Sequence, residues 1–183
     1  MGVMSFVVSG ALGFGLGWVV VGSFALTAPM WPYFLAGACG GAGLGLALGD
    51  RKRIAVLALA GSLGFGLGSL LEIVVAVYTF GIVLGGVTGM VGGAALGLVL
   101  GGWRRTVVLG LVGFVGFGLG ETVVLYLQPL VLDFSVDWAR SPPPLWRLAS
   151  VEAIGGLIGG ASLGAALGYL ERRRSGEEGP RVR

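Results

Sequence analysis

The sequence predicts an all-α integral membrane protein whose six transmembrane helices form three tandem glycine-zipper helical hairpins. Three observations support this fold class. The 183-residue chain is 55% hydrophobic and only 11% charged, whereas soluble domains are about 25% charged. Its apolar residues fall into six runs of near-spanning length. A glycine-rich motif also recurs three times, which predicts internal duplication within a single transmembrane domain over residues 1–183.

The repeat is defined by two motifs. The first, Gly-x-x-Gly-Phe-Gly-Leu-Gly, occurs at residues 10–17, 61–68 and 113–120. The second is a stripe of glycines at every fourth residue, and its register is set by the steps Leu44-Gly45, Leu96-Gly97 and Leu163-Gly164. We therefore predict repeats at 3–53, 54–105 and 106–174. The third contains an insertion at 128–147 and is followed by a charged tail at 171–183.

The apolar runs predict helices at 3–28, 34–49, 54–80, 82–101, 106–127 and 150–170. Because a spanning helix needs about 20 residues, the second run is marginal, and we expect it to begin nearer Pro32. Pro29 and Pro32 mark the first hairpin turn, since proline has no amide hydrogen to donate.

Basic residues predict the orientation. One side of a six-helix arrangement carries Arg51, Lys52, Arg53, Arg104, Arg105, Arg172, Arg173, Arg174, Arg181 and Arg183, and the other carries only Arg140 and Arg147. The positive-inside rule then places both termini in the cytoplasm, and we expect a prokaryotic plasma membrane. Three hairpins of one orientation can be related by a pseudo-threefold axis along the membrane normal.

Glycines spaced by four residues let transmembrane helices approach closely. We predict that helix packing uses Gly13, Gly17, Gly37, Gly41, Gly45, Gly49, Gly64, Gly68, Gly85, Gly89, Gly93, Gly97, Gly101, Gly116, Gly120, Gly156, Gly160, Gly164 and Gly168. An alternative is that some of these glycines line a path for a ligand or a lipid.

Enzyme chemistry is not expected. The chain has no histidine and no asparagine, which removes most general-base, triad and zinc arrangements. We predict no catalytic residue, no metal and no cofactor. The single cysteine, Cys39, lies in an apolar run and suits packing. No basic face is available for nucleic acid.

Two acids, Glu72 and Glu121, lie inside apolar runs, about 10 Å from the outer helix ends at 1.5 Å per residue. An intramembrane acid indicates a functional site. The alternative is a hydrogen bond to a neighbouring helix, or a side chain that extends to the interface; the candidate partners are Thr79, Thr88, Thr122 and Gln128. The first repeat has Val21 and Trp18 at the two acid positions, which excludes a symmetric ring of acids. We expect Glu152 to pair with Arg147.

Two functions follow from these patterns. The first hypothesis is a non-enzymatic scaffold or accessory subunit that assembles through glycine packing with itself or another membrane protein. The alternative is a small channel or transporter for protons, cations or a cationic solute, with Glu72 and Glu121 as its site. Membrane lipids are expected partners, with headgroups held by Arg51, Lys52, Arg53, Arg104, Arg105, Arg172, Arg173 and Arg174. The 128–147 segment is either a partner-docking loop, a cap or a tolerated insertion.

Overall fold

A computed structural model describes residues 2–24, 30–76, 85–131 and 144–177 of the chain. This part of the chain is helical, with short turns between helices. The six helices are α1 (Val3–Phe24), α2 (Trp31–Leu48), α3 (Arg51–Ala76), α4 (Gly86–Val99), α5 (Trp103–Val131) and α6 (Leu145–Glu177). The predicted Pro29 turn, most of the 128–147 insertion and the end of the tail lie outside the described residues.

Five of these helices are long and apolar enough to cross a membrane, which agrees with an integral membrane protein. The second helix begins at Trp31, so the expected extension toward Pro32 is confirmed. The fourth is shorter than the predicted 82–101, with 14 described residues. The sixth begins five residues earlier than predicted, directly after Pro144, because proline is well tolerated just before or within a first turn.

The helices form a closed ring. Each packs mainly against its neighbours in the sequence, and α6 packs against α1 to complete the circle. Two tight turns place successive helices antiparallel. Gly49 has φ 72° and donates its amide to the Leu46 carbonyl, while Gly101 and Gly102 have φ 83° and 99°. Only glycine adopts such left-handed conformations without strain, so Gly49 ends α2, and Gly101 and Gly102 form the turn between α4 and α5.

Backbone contacts between glycines join neighbouring helices. At three interfaces, α2 with α3, α4 with α5 and α6 with α1, a methyl group on a glycine would overlap a facing carbonyl oxygen; the pairs are Gly37 with Gly61, Gly89 with Gly113 and Gly160 with Gly10. One turn further along, Gly41 faces Leu57, Gly93 faces Leu109 and Gly164 faces Phe6. Three interfaces therefore use the same kind of contact.

The third interface has a different register from the one the Leu-Gly steps predict. By those steps Gly156 corresponds to Gly89 and should face Gly10, the first glycine of the motif in α1. Instead, Gly160 faces Gly10, and Gly156 meets Phe14 and Trp18. Glycines at every fourth residue explain the difference, because sliding a helix by one turn still places a glycine opposite its neighbour. Contacts inside the third hairpin keep the predicted register, since Gly159 faces Phe117 as Gly92 faces Phe65.

Three of the predicted packing glycines lie at helix ends. Gly49 and Gly101 have positive φ, and a methyl group on Gly101 would meet nothing within 4 Å. Gly85, with φ 77°, precedes the first residue of α4 and lies against Glu121. These positions require glycine for its backbone conformation.

Three phenylalanines close the centre of the ring. Phe14, Phe65 and Phe117 occupy the same place in the three motif copies, and their ring centroids lie 4.8, 5.2 and 5.0 Å apart. All three side chains are buried. Trp18 covers this triad, with its ring centroid 5.0 Å from that of Phe117. The bundle is thus filled by aromatic rings at its core.

Replacing Gly93 with alanine should destabilise the protein, because the added methyl group would overlap the Leu109 carbonyl. Overpacking of this kind costs about 1–3 kcal/mol. Gly118→Ala is the matched control, since its nearest neighbour outside its own helix is 3.7 Å away. Thermal unfolding in detergent should show a lower midpoint for Gly93→Ala only; equal midpoints would contradict the close contact.

Candidate cation site

One end of the bundle, here called the acidic end, contains a cavity that three glutamates share. Glu72 of α3, Glu121 of α5 and Glu152 of α6 line a space of about 170 Å³. The remaining walls include three aromatic side chains, Trp18, Tyr33 and Phe117. The cavity is thus formed by residues from all three hairpins, next to the aromatic triad.

The glycine motifs explain how these side chains reach the cavity. Glu121 directly follows the last glycine of its motif, as Trp18 does in the first copy, and both line the cavity. The matching residue of the second copy, Ser69, is buried and donates to the Gly66 carbonyl at 2.8 Å. The copies differ at this motif position, so the cavity is lined by the carboxylate of Glu121 and the indole of Trp18.

Glu72 caps the amino terminus of α4. Its carboxylate accepts hydrogen bonds from the Gly85 amide at 2.6 Å and the Thr88 amide at 3.3 Å, and it also accepts one from the Thr88 hydroxyl. These donors belong to a helix end whose first amides have no partner in their own helix. The positive end of the helix dipole favours the carboxylate further. Glu72 thus forms hydrogen bonds to a neighbouring helix, which is one of the alternatives that the sequence left open.

Among the described residues, a second suggested partner, Thr122, forms its hydrogen bond within its own helix. Thr122 donates to the Gly118 carbonyl at 2.8 Å, one turn earlier in its own helix. Thr79 lies outside the described residues. Of the four candidate partners, Thr88 is the one that the described structure joins to an acid.

Glu121 and Glu152 differ from Glu72 in their surroundings. Within the described ranges, no hydrogen bond or ion pair holds either carboxylate, and both face the cavity. Moving one ionised acid to the centre of a bilayer costs about 2.5–3.5 kcal/mol on insertion scales. Carboxylates that share a small cavity also repel one another. A proton or a cationic ligand would relieve both costs.

Glu152 lines the cavity, whereas the sequence predicts it at the surface of the bundle. The predicted helix start at residue 150 put it at the surface, whereas α6 begins at Leu145, so Glu152 lies about 10 Å along the helix at 1.5 Å per residue. Its expected partner Arg147 instead lies over the Trp146 ring at 5.4 Å and donates to the Val131 carbonyl at 3.4 Å. Proline at 144 was the available signal for the earlier start.

The cavity combines carboxylates with aromatic walls, and this combination suits an organic cation. Among the described residues, no three acids, cysteines or histidines are grouped closely enough to hold a metal. Aromatic faces attract ammonium and guanidinium groups, most strongly where water is excluded. Trp18 and Tyr33 line the cavity beside the carboxylates. The arrangement can therefore neutralise a cation and contact its apolar surface at the same time.

The predicted headgroup residues lie at the opposite, basic end of the bundle. They lie in the first turns of α3 and α5 and in the last described turns of α6; the residues are Arg51, Lys52, Arg53, Arg104, Arg105, Arg172, Arg173 and Arg174. Arg105 forms an ion pair with Glu171 at 2.8 Å, and Arg173 lies over the Tyr169 ring at 5.0 Å. The described basic residues and the three cavity acids thus lie at opposite ends of the bundle.

Removing the cap should cost stability, whereas removing the neighbouring acid should not. Glu72→Ala leaves the first amides of α4 unsatisfied, and loss of a helix cap costs about 1–2 kcal/mol. Glu121→Ala is the matched control, because it deletes an acid of the same cavity that holds no helix end. Hydrogen exchange should show faster exchange at the Gly85 and Thr88 amides in Glu72→Ala alone. Unchanged protection would refute the capping role.

Comparison with known proteins gives no relative from which to transfer a function. No protein-family model, curated protein or solved structure matches this chain. The chemistry of the acidic end is therefore inferred from its own carboxylates, aromatic walls and helix terminus.

Proposed function

We propose that this protein is a small membrane transport protein, a channel or a carrier, that binds a cation in the cavity at the acidic end. The observation that carries the proposal is the meeting of Glu72, Glu121 and Glu152 in one aromatic-walled cavity on a closed helical ring. Glu121 and Glu152 bind the cation. Glu72 holds the end of α4 and contributes negative charge from its capped position.

We also propose that the ring is a pseudo-threefold repeat of glycine-zipper hairpins. Its support is the recurrence of one glycine contact at three interfaces and the meeting of three motif phenylalanines at the centre. In such an arrangement the repeat axis runs through the triad. The cation site then lies beside this axis, where a transport path through the ring would run.

Glycine packing seen in the sequence alone favours the scaffold hypothesis, whereas the geometry of the packing supports the transport proposal. In the described helices, the stripe glycines Gly37, Gly41, Gly89, Gly93 and Gly160 face other helices of the same chain. Their close contacts therefore build the ring itself. The large exposed side chains are apolar, such as Leu12, Leu59 and Leu111, and lipid tails suffice to cover them.

The proposed orientation gives the transport a direction. The basic end faces the cytoplasm under the positive-inside rule, so the acidic cavity opens toward the outside. A membrane potential that is negative inside attracts cations inward by about 2.3 kcal/mol per charge and 100 mV. At the basic end, a second cavity of about 440 Å³ is lined in part by Phe6 and Arg53. We propose that the aromatic triad lies between the two cavities and acts as the closed gate.

Proteoliposomes test the transport function. Uptake of methylammonium, guanidinium, K⁺ and protons should be measured under an inside-negative potential. We expect uptake of at least one of these cations, lowered about tenfold or more by Glu121→Gln combined with Glu152→Gln. Asp50→Asn is the control, because Asp50 is an exposed acid in the turn before α3. Absence of flux for the whole panel, or flux that survives the double substitution, would contradict the proposal.

The aromatic gate gives a second prediction. Phe65→Ala removes one ring from the triad and should raise basal cation leak several-fold. Phe114→Ala is the matched control, because Phe114 lies on α5 at 37% exposure, outside the triad. Conductance of reconstituted bilayers distinguishes the two. Equal leak from both variants would show that the triad does not limit passage.

A further inference from the structure

The basic end contains a cleft that combines charged and apolar walls. It has a volume of about 190 Å³ and lies where α3 and α5 begin and where α4 and α6 end. Its four cationic residues are Lys52, Arg53, Arg105 and Arg174. The cleft is distinct from the cation site, which lies at the other end of the ring.

The charges of the cleft are only partly balanced. Arg53 lies 3.7 Å from Asp50 in a half-exposed ion pair, and Arg105 lies 2.8 Å from Glu171. The half-exposed pair of Arg53 with Asp50 contributes little, typically under about 1 kcal/mol. The pair of Arg105 with Glu171 is largely buried, with side chains 14% and 21% exposed. Even without Arg174, the three cations Lys52, Arg53 and Arg105 outnumber the two acids Asp50 and Glu171, so these residues leave the cleft with a net positive charge. It therefore suits an anion, and arginine pairs readily with phosphate oxygens.

The apolar wall of the cleft indicates which kind of anion the cleft binds. Val56 and Val99 line the cleft and are 47% and 44% exposed. Leu59 and Leu63 follow Val56 on one face of α3, since residues three or four apart share a helix face, and both are exposed. This face leads from the cationic residues along the helix toward its middle. A molecule with a phosphate at one end and a hydrocarbon chain at the other matches it.

We propose that this cleft binds one anionic phospholipid, with its phosphate among Lys52, Arg53, Arg105 and Arg174 and an acyl chain along the exposed face of α3. A free phosphate ion would satisfy the cationic residues but leave the apolar wall uncovered. The charge and the apolar face together therefore favour the lipid. This site would anchor the basic end at the membrane surface.

Native mass spectrometry tests the site on the full-length protein in detergent, titrated with phosphatidylglycerol or with phosphatidylcholine. We expect one phosphatidylglycerol to remain bound, with affinity lowered about five- to tenfold by Arg53→Gln. The matched control is Arg51→Gln, which removes the same charge two residues away, at an exposed position outside the cleft.

Three outcomes would overturn the proposal. Equal losses in Arg53→Gln and Arg51→Gln would indicate diffuse attraction to the whole basic end. Equal retention of phosphatidylcholine would show that the anionic charge is not recognised. Displacement of the lipid by millimolar inorganic phosphate would indicate a free-phosphate site. None of these results depends on transport, so the lipid site and the cation site can fail separately.

Discussion

The close approach of helix backbones at glycine is the constraint on which the rest of this structure depends. Lipid tails are as apolar as the side chains they touch, so helices in a membrane gain little from hydrophobic burial against one another. Contacts such as Gly37 with Gly61 and Gly89 with Gly113 replace that drive with dispersion and weak Cα-hydrogen bonds to facing carbonyls. Each contact needs two backbones without intervening side chains, and its repetition around the bundle closes six helices into a ring.

A ring held this tightly has room at its centre for only a few large side chains, and their identity sets the chemistry of each level. Phe14, Phe65 and Phe117 fill the middle. One to two turns beyond them, the three copies diverge, and acids, an indole and a phenol surround a cavity in place of a packed core. The short α4 takes part in this divergence, because its first amides are capped by Glu72 from the preceding helix. The glycine contacts are common to the three motif copies, whereas the acids of the cavity lie where the copies differ.

The sequence predicts the membrane class, the six helices and the conspicuous acids, because composition and apolar length are strong signals in a lipid solvent. It predicts less about which way side chains point. Each helix is apolar around its whole circumference, so no polar face marks the outside. The meeting of the three phenylalanines could not be predicted from periodicity alone. Glu152 was misplaced because its environment depends on where α6 begins, and a shift of five residues moves a surface acid into the bundle.

The shifted register between α6 and α1 has a consequence of its own. Because the glycines of a stripe are evenly spaced, a helix can pack against its neighbour in several registers that differ by one turn, or about 5.4 Å. Two of the interfaces have the register that the Leu-Gly alignment gives. The third is shifted by one helical turn, with Gly160 opposite Gly10. The ring of helices therefore has one interface, between α6 and α1, whose register differs from that of the other two. Glycines at matching motif positions therefore have different neighbours: Gly37 and Gly89 face the first glycine of a motif copy, whereas Gly156 meets Phe14 and Trp18.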